Sequence, residues 1–186
     1  MKRKKVKVII AVLVALAVIA EIAALNIKYK DVYKVTVLER NQSYTTDSYT
    51  FKIDYMEVLD STALKERYSD SKDLVMYEKM FGELGKIAFV YAKLTVNDME
   101  KFKKDWWTSF HLEADNAWSN QIDMYFIDII KDTNLVGVNY QEGIEYDVIL
   151  PFNINKQQIT KKDMECAEDW KYRFVFQLNP ITYMDL

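Results

Sequence analysis

The chain has 186 residues, 50% hydrophobic and 28% charged, a balance that excludes a disordered chain; with 4 Gly and 2 Pro it holds no collagen-like tract or flexible linker. The net charge of −3 hides an asymmetry: the first 27 residues take five of the 25 basic groups and one of the 28 acidic, so the rest carries 20 and 27, a net of −7. Such a body argues against a nucleic-acid partner, since phosphate binding needs clustered Lys and Arg, and it predicts repulsion from anionic lipid head groups.

The five early cations are Lys2, Arg3, Lys4, Lys5 and Lys7. Behind them residues 8–20 read VIIAVLVALAVIA, without a polar group; Glu21 interrupts, and residues 22–27 continue as IAALNI. Cations ahead of an apolar run mark a signal peptide or a signal anchor. Retention of Lys and Arg on the cytoplasmic side puts everything after about residue 28 outside. Val18, Ile19 and Ala20 offer a cleavage point, but no Gly, Pro or Ser breaks the helix before it. A helix over 6–27 reaches across about 30 Å of hydrocarbon at roughly 1.5 Å per residue. A retained single-pass anchor is therefore expected, with secretion as the outcome if the signal is cleaved. The organisation predicted is a cytoplasmic tail and anchor over 1–27, a connector over 28–33 and an extracytoplasmic domain over 34–186. The absence of Cys near the end of the apolar run argues against a lipoprotein.

Abundant aromatics, 14% of the chain, favour strands. Residues 34–38 (KVTVL) read as a first strand and 39–48 as a polar loop. Residues 49–58 alternate, with Tyr49, Phe51, Ile53 and Tyr55 on one face. Residues 60–85 change period: Asp60 and Ser61 suit an N-cap, Leu74, Met76, Tyr77, Met80, Phe81 and Leu84 recur at helical offsets, and Gly82 and Gly85 are stop signals. This insertion reads as a helical cap closing the fold, with a lid as the functional alternative. Acids at Asp60, Glu66, Asp70 and Asp73 read as its solvated face, not a calcium loop. Residues 86–97 (KIAFVYAKLTVN) are apolar on both alternating faces at their start, as in a central strand under a helix. Strands are also predicted over 106–115, 121–130, 143–155 and 170–178, with a short last one over 181–186 and a helical turn within 156–169. Many strands with one helical insertion and no βαβ alternation select an antiparallel β-sandwich.

Three segments, KIAFVYAKLTVND, GIEYDVILPFNI and YRFVFQLNP followed by ITYMDL, occur in that order. In this they resemble the small secreted or membrane-anchored immunoglobulin-like domains of unknown function of Gram-positive, Firmicute-type bacteria. The resemblance covers residues 34–186 and rests on packing and turn signals. It implies a mainly β, immunoglobulin-like sandwich, an extracytoplasmic location and no known enzyme activity, and it carries over no catalytic residue. The helical segment over 60–85 departs from the simplest members.

The sequence holds no P-loop, GxGxxG run, GxSxG elbow, HExxH pair or Cys/His zinc pattern, and no cofactor is expected. Its single His, His111, forms the one local cluster of note with Glu113 and Asp115. In a strand the three share a face, about 6.5–7 Å between neighbours. That ladder is the weak metal candidate, set against a row of solvated charges; His111 is also a possible pH-sensitive group. Trp106 and Trp107, adjacent in a strand, point to opposite faces, so one is expected in the core and the other exposed, with Trp118 nearby. An exposed indole is a platform for a sugar ring or a partner, and these three are the candidate partner-binding residues. Cys166, the lone cysteine, reads as a small semi-buried hydrophobe.

The expected function is a non-enzymatic interaction module, attached to the membrane through residues 8–27, with a surface protein, a peptide or a cell-wall polymer as partner. Two alternatives stand beside it. One is a carbohydrate-active or hydrolytic domain using Glu113 and Asp115, which requires a pocket lined by both acids and an exposed Trp. The other is an accessory subunit of a membrane complex, packed through Ala11, Ala15 and Ala20.

Overall fold

The structure is a computed structural model that describes residues 2–29, 34–69, 71–81, 85–104, 106–115, 118–130, 133–155 and 157–186; the side chains of residues 2–13, 15 and 81 lie outside that description. The expected features at 30–33, Asp70, Gly82 and Leu84 also lie outside the described residues.

The chain opens with helix α1 (Lys2–Tyr29), which takes in Lys28 and Tyr29 of the expected connector. Its described side chains are exposed, Ile19 at 61% and Ile27 at 70% among them. Among the described residues no helix is long and apolar enough to cross a membrane. The expected span begins at Val8 and so falls in part outside them.

The body is mainly β. One sheet runs in the order β1 (Val35–Leu38), β9 (Ile181–Asp185), β8 (Tyr172–Leu178), β5 (His111–Ala114), β6 (Ser119–Gln121). The other runs β2 (Tyr44–Thr45), β3 (Tyr49–Leu59), β4 (Lys86–Val96), β7 (Glu145–Ile154). All pairs among these strands are antiparallel except β1 on β9, which run parallel from Val35↔Ile181 to Leu38↔Met184. Between the sheets lie Phe51, Phe110, Phe152, Phe174 and Phe176, all buried. Phe174 sits 4.9 Å from Phe176 and 5.1 Å from Phe110, ring centre to ring centre. Close aromatic packing of this kind carries most of the apolar burial of a sandwich core.

Helices α2 (Ser61–Arg67), α3 (Lys72–Phe81) and α4 (Met124–Ile127) form a second apolar layer on the outer face of the β2-β3-β4-β7 sheet, where Ile87 and Phe89 meet Leu64, Leu74, Tyr77 and Phe126. This explains why the start of β4 is apolar on both faces. Asp60 caps α2 as its sequence predicts, accepting from the backbone N–H groups of Thr62 and Ala63 at 2.9 Å. At Gly85, just before β4, a Cβ would lie 2.3 Å from the Ile154 carbonyl oxygen, so the glycine permits close approach to the β7 backbone.

Three strand expectations are corrected. Residues 106–115 are a 3₁₀ turn (Trp106–Ser109) followed by β5. Residues 121–130 are the end of β6 and then α4, because the Asp123 carboxylate accepts from the Tyr125 and Phe126 amides and starts a helix. Within β3 the pairing slips between Ile53 and Tyr55, so Asp54 is a bulge and Tyr55, expected inside, is 56% exposed.

Candidate functional site

Two adjoining depressions open at one end of the sandwich, sharing Tyr172 and Leu186. The first, about 400 Å³, is lined by Glu113, Ala114 and Asp115 at the end of β5, by Lys171 just before β8, and by Arg173 and Asp185 of the β8–β9 pair. The second, about 580 Å³, lies between Arg40 and Asn41 after β1, the β3 bulge from Ile53 to Met56, and Glu168, Trp170 and Met184.

Local structure explains why these side chains meet. The bulge at Asp54 turns β3 and rotates Tyr55 out of the core, where its ring stacks on Tyr91 at 4.3 Å and 11°. Asn41 adopts φ 74°, closing the turn after β1 with the Gln42 amide donating to Glu39 O at 2.9 Å. Between β7 and β8 the chain passes through helix α5 (Lys161–Glu165) and a 3₁₀ turn (Ala167–Asp169). Two contacts fix that turn. The buried Tyr172 hydroxyl donates to Ala167 O at 2.7 Å. The Lys86 ammonium, its side chain 11% exposed, donates to Glu168 at 2.7 Å and to Glu165 O at 3.3 Å. Burial, and then the Glu168 charge, push the Tyr172 hydroxyl well above the usual tyrosine range, so it stays a neutral donor. Trp170 is thereby held half-buried against Trp118 (6.1 Å) and Tyr172 (5.9 Å).

The side chains of Arg40, Asp54, Glu113 and Lys171 make no hydrogen bond or ion pair among the described residues. Arg173 is engaged, pairing with Asp185 at 3.3 Å and lying over the Tyr183 ring at 3.9 Å.

The residues singled out from sequence fall into two groups. Glu113 and Asp115 come together on the first depression; His111 does not join them there. His111 lies across from Gln121, with Nδ1 at 2.8 Å from Ser109 O and Nε2 at 3.2 Å from the Gln121 amide nitrogen. That network assigns the Nδ1–H tautomer and occupies both ring nitrogens. Among the described residues no group of three His, Cys, Asp or Glu is placed to hold a metal ion. Trp106, Trp107 and Trp118 are all buried, at 6%, 5% and 4% exposure, which corrects the expectation of an exposed indole among them. A 3₁₀ turn, unlike a strand, lets Trp106 and Trp107 both turn inward, with Trp106 packed 5.5 Å from Tyr49 and from Phe51. Cys166, expected semi-buried, is exposed at the end of α5.

No family model and no curated protein matches the chain. Solved structures with partial likeness include a candidate lipoprotein from Staphylococcus aureus subsp. aureus NCTC 8325 (TM-score 0.43, 11% identity, covering 77% of this chain and 86% of that one). An uncharacterized beta-sandwich protein from Clostridium difficile 630 gives TM-score 0.46 at 7% identity, over 82% of this chain and 95% of that one. A functionally unknown protein from Listeria monocytogenes EGD-e gives 0.42 at 11% identity, over 72% and 69%. Likeness of this degree assigns neither ligand nor activity.

Sequence reading missed Arg40, Asp54, Tyr55 and Trp170. One signal was available: apolar residues stand at odd positions through Tyr55 and then also at Met56 and Val58. A change of phase inside one strand marks a bulge, and bulges gather beside functional sites. Arg40 and Trp170 reach the site only through tertiary packing, which no local pattern announces.

Proposed function

We propose that this chain is a membrane-anchored, extracytoplasmic immunoglobulin-like module that binds a component of the cell envelope without catalysing a reaction. The observation that carries the binding role is the pair of adjoining depressions, floored by apolar side chains and rimmed by charges, of which Arg40, Asp54, Glu113 and Lys171 have no side-chain partner among the described residues. The anchor rests on the basic prefix and on a helix whose described apolar side chains are left exposed, a surface that water does not favour and a bilayer does. The immunoglobulin-like reading is supported by two features. The chain changes sheet between β1 and β2, β4 and β5, β6 and β7, and β7 and β8. Tyr172, at the start of β8, donates back to the corner that precedes it, as in a tyrosine corner. Protease shaving of intact cells with mass spectrometry tests location: peptides from 34–186 are expected in the shaved fraction. Their recovery only after lysis refutes the extracytoplasmic placement. Crosslinking on intact cells then tests for an envelope partner.

A second reading is a surface hydrolase acting on glycans through Glu113 and Asp115. The observation favouring it is that both carboxylates line the smaller depression. Turnover of an oligosaccharide that disappears in Glu113→Gln supports this reading over the first.

A further inference from the structure

We infer that the two depressions together take a neutral glycan chain; this rests on reading the domain as an interaction module and names its ligand. Their volumes, about 400 and 580 Å³, lie within the usual range of about 300–1,000 Å³ for small-molecule sites. Because they share Tyr172 and Leu186, they suit an extended ligand of several units more than one compact molecule. The floor of the larger one is apolar, with Ile53, Tyr172 and Met184 all buried. Two aromatic residues line it as well: Tyr55, fixed by its stack on Tyr91, and Trp170, backed by Trp118. A pyranose ring offers such aromatic surfaces a plate of C–H groups, and tyrosine and tryptophan meet it with little loss of side-chain freedom.

The polar rim discriminates among ligand classes. A sugar hydroxyl both donates and accepts, so it is served by a mixed set: the Arg40 guanidinium and Asn41 amide donate, while Asp54 and Glu113 accept. Arg40, Asp54 and Glu113 have no side-chain partner among the described residues, so a ligand breaks no existing contact to reach them. An anionic polymer is disfavoured, since five carboxylates and three cations line the depressions and the body is acidic as a whole. An extended peptide adding to the edge of β3 is disfavoured as well. Among the described residues the edge is unpaired beyond the short β2, but the bulge at Asp54 breaks the regular backbone spacing that an added strand needs, at the point where the depression opens.

The test uses the full chain, purified in a detergent without a sugar head group. It is screened against an immobilised panel of neutral and acidic oligosaccharides and then titrated with the N-acetylglucosamine trimer, maltotriose and cellotriose, followed by tryptophan fluorescence and calorimetry. Saturable binding of a neutral oligosaccharide, with a Kd of about 1 mM or tighter, is expected. It should weaken about tenfold or more in Arg40→Ala and in Asp54→Ala, and be lost in Tyr55→Ala. All three side chains are exposed and outside the sandwich core, and circular dichroism of each variant establishes that it is folded. No saturable binding across the panel, preference for acidic glycans, or binding indifferent to these substitutions overturns the inference. A protein crosslinked on cells alongside a negative glycan panel leaves the interaction-module reading standing and removes only the glycan. Cleavage of a bound oligosaccharide, lost in Glu113→Gln, keeps the glycan and replaces the non-catalytic reading with the hydrolase.

Discussion

Tyr172→Phe is the most direct probe of the corner that seats the candidate site. The substitution removes one oxygen and leaves the ring in place. The hydroxyl donates to Ala167 O at 2.7 Å, with Tyr172 3% and Ala167 0% exposed, so no solvent replaces the lost donor. A buried carbonyl deprived of its partner costs about 1–3 kcal/mol, partly offset because the hydroxyl no longer has to be desolvated. A net loss of about 1.5–2 kcal/mol follows, which for a domain of this size lowers Tm by roughly 3–8 °C. Thermal unfolding followed by near-ultraviolet circular dichroism reads the shift. The same spectrum reports whether Trp170 and Trp118 keep their asymmetric surroundings. Tyr55→Phe is the control: its hydroxyl has no hydrogen-bond partner among the described residues, and a change within about 0.5 kcal/mol is expected. Equal Tm values for Tyr172→Phe and the parent chain refute the corner as a stabilising contact and weaken the immunoglobulin-like reading with it.

Two further expectations concern the helical cap and the β4–β7 ladder. Gly85→Ala places a methyl group 2.3 Å from the Ile154 carbonyl oxygen, a backbone atom that cannot swing away, and is expected to cost about 1–3 kcal/mol in denaturant unfolding. Arg67 donates to both oxygens of Glu57, at 2.5 and 3.2 Å, and holds the Glu57 carboxyl below its usual value of 4.5, with burial opposing and the Tyr91 hydroxyl assisting. A depressed carboxyl stabilises the folded state above its unfolded pKa, and that stabilisation is lost as pH falls through the folded value. The pair is 29% and 40% exposed, so screening limits it to at most about 1 kcal/mol. The Tm difference between the parent and Arg67→Ala is expected to shrink between about pH 6 and about pH 3; a difference constant across that range refutes the linkage.

What was legible in the sequence was set by side-chain period. Residues 86–97 showed both the strand and the cover on its second face, because Ile87 and Phe89 are as apolar as Ala88 and Val90, and the structure places α2, α3 and α4 over them. The segment over 121–130 was misread although its signal was present. Ile122, Phe126, Ile129 and Ile130 fall at offsets of four, seven and eight, a helical face, and Asp123 is an N-cap; the structure follows these two signals and not the strand-favouring composition. The Trp106–Trp107 pair was misread for a different reason. Alternation was assumed through a segment too short to display it, whereas a 3₁₀ turn places neighbouring side chains about 120° apart and buries both rings. The site itself was half legible. Glu113 and Asp115 were named from their spacing, but the depression they line is closed by β8 and β9, some sixty residues later in the chain.

Whether the helical cap is a fixed part of the fold or a movable lid is decided at Asp123. One carboxylate oxygen caps α4 through the Tyr125 and Phe126 amides at 3.0 and 3.1 Å, and the other accepts from the Tyr77 hydroxyl of α3 at 2.5 Å. The Asn153 amide of β7 donates to that same hydroxyl, so α3, α4 and the sheet meet at one polar knot. Tyr77 is 3% exposed, and burial, with the Asp123 carboxylate beside it, pushes its hydroxyl well above the usual range, which keeps the proton on Tyr77. Asp123→Asn keeps an acceptor for the cap but turns the second acceptor into a donor, so the Tyr77 proton loses its place at a cost of about 1–2 kcal/mol. Asp123→Ala removes the cap as well, worth about 1 kcal/mol, and is expected to cost about 2–4 kcal/mol in total. In Tyr77→Phe the hydroxyl that Asp123→Asn would strand is absent, so the double variant is expected to fall short of the sum of the two by about 1 kcal/mol. Hydrogen exchange of the α3 and α4 amides separates the two views of the cap. A fixed cap protects them nearly as well as β4 in the parent chain and loses that protection in Asp123→Ala. Amides that exchange freely in the parent, with no further change in the variant, mean that the knot does not hold the cap and that the lid reading is the correct one.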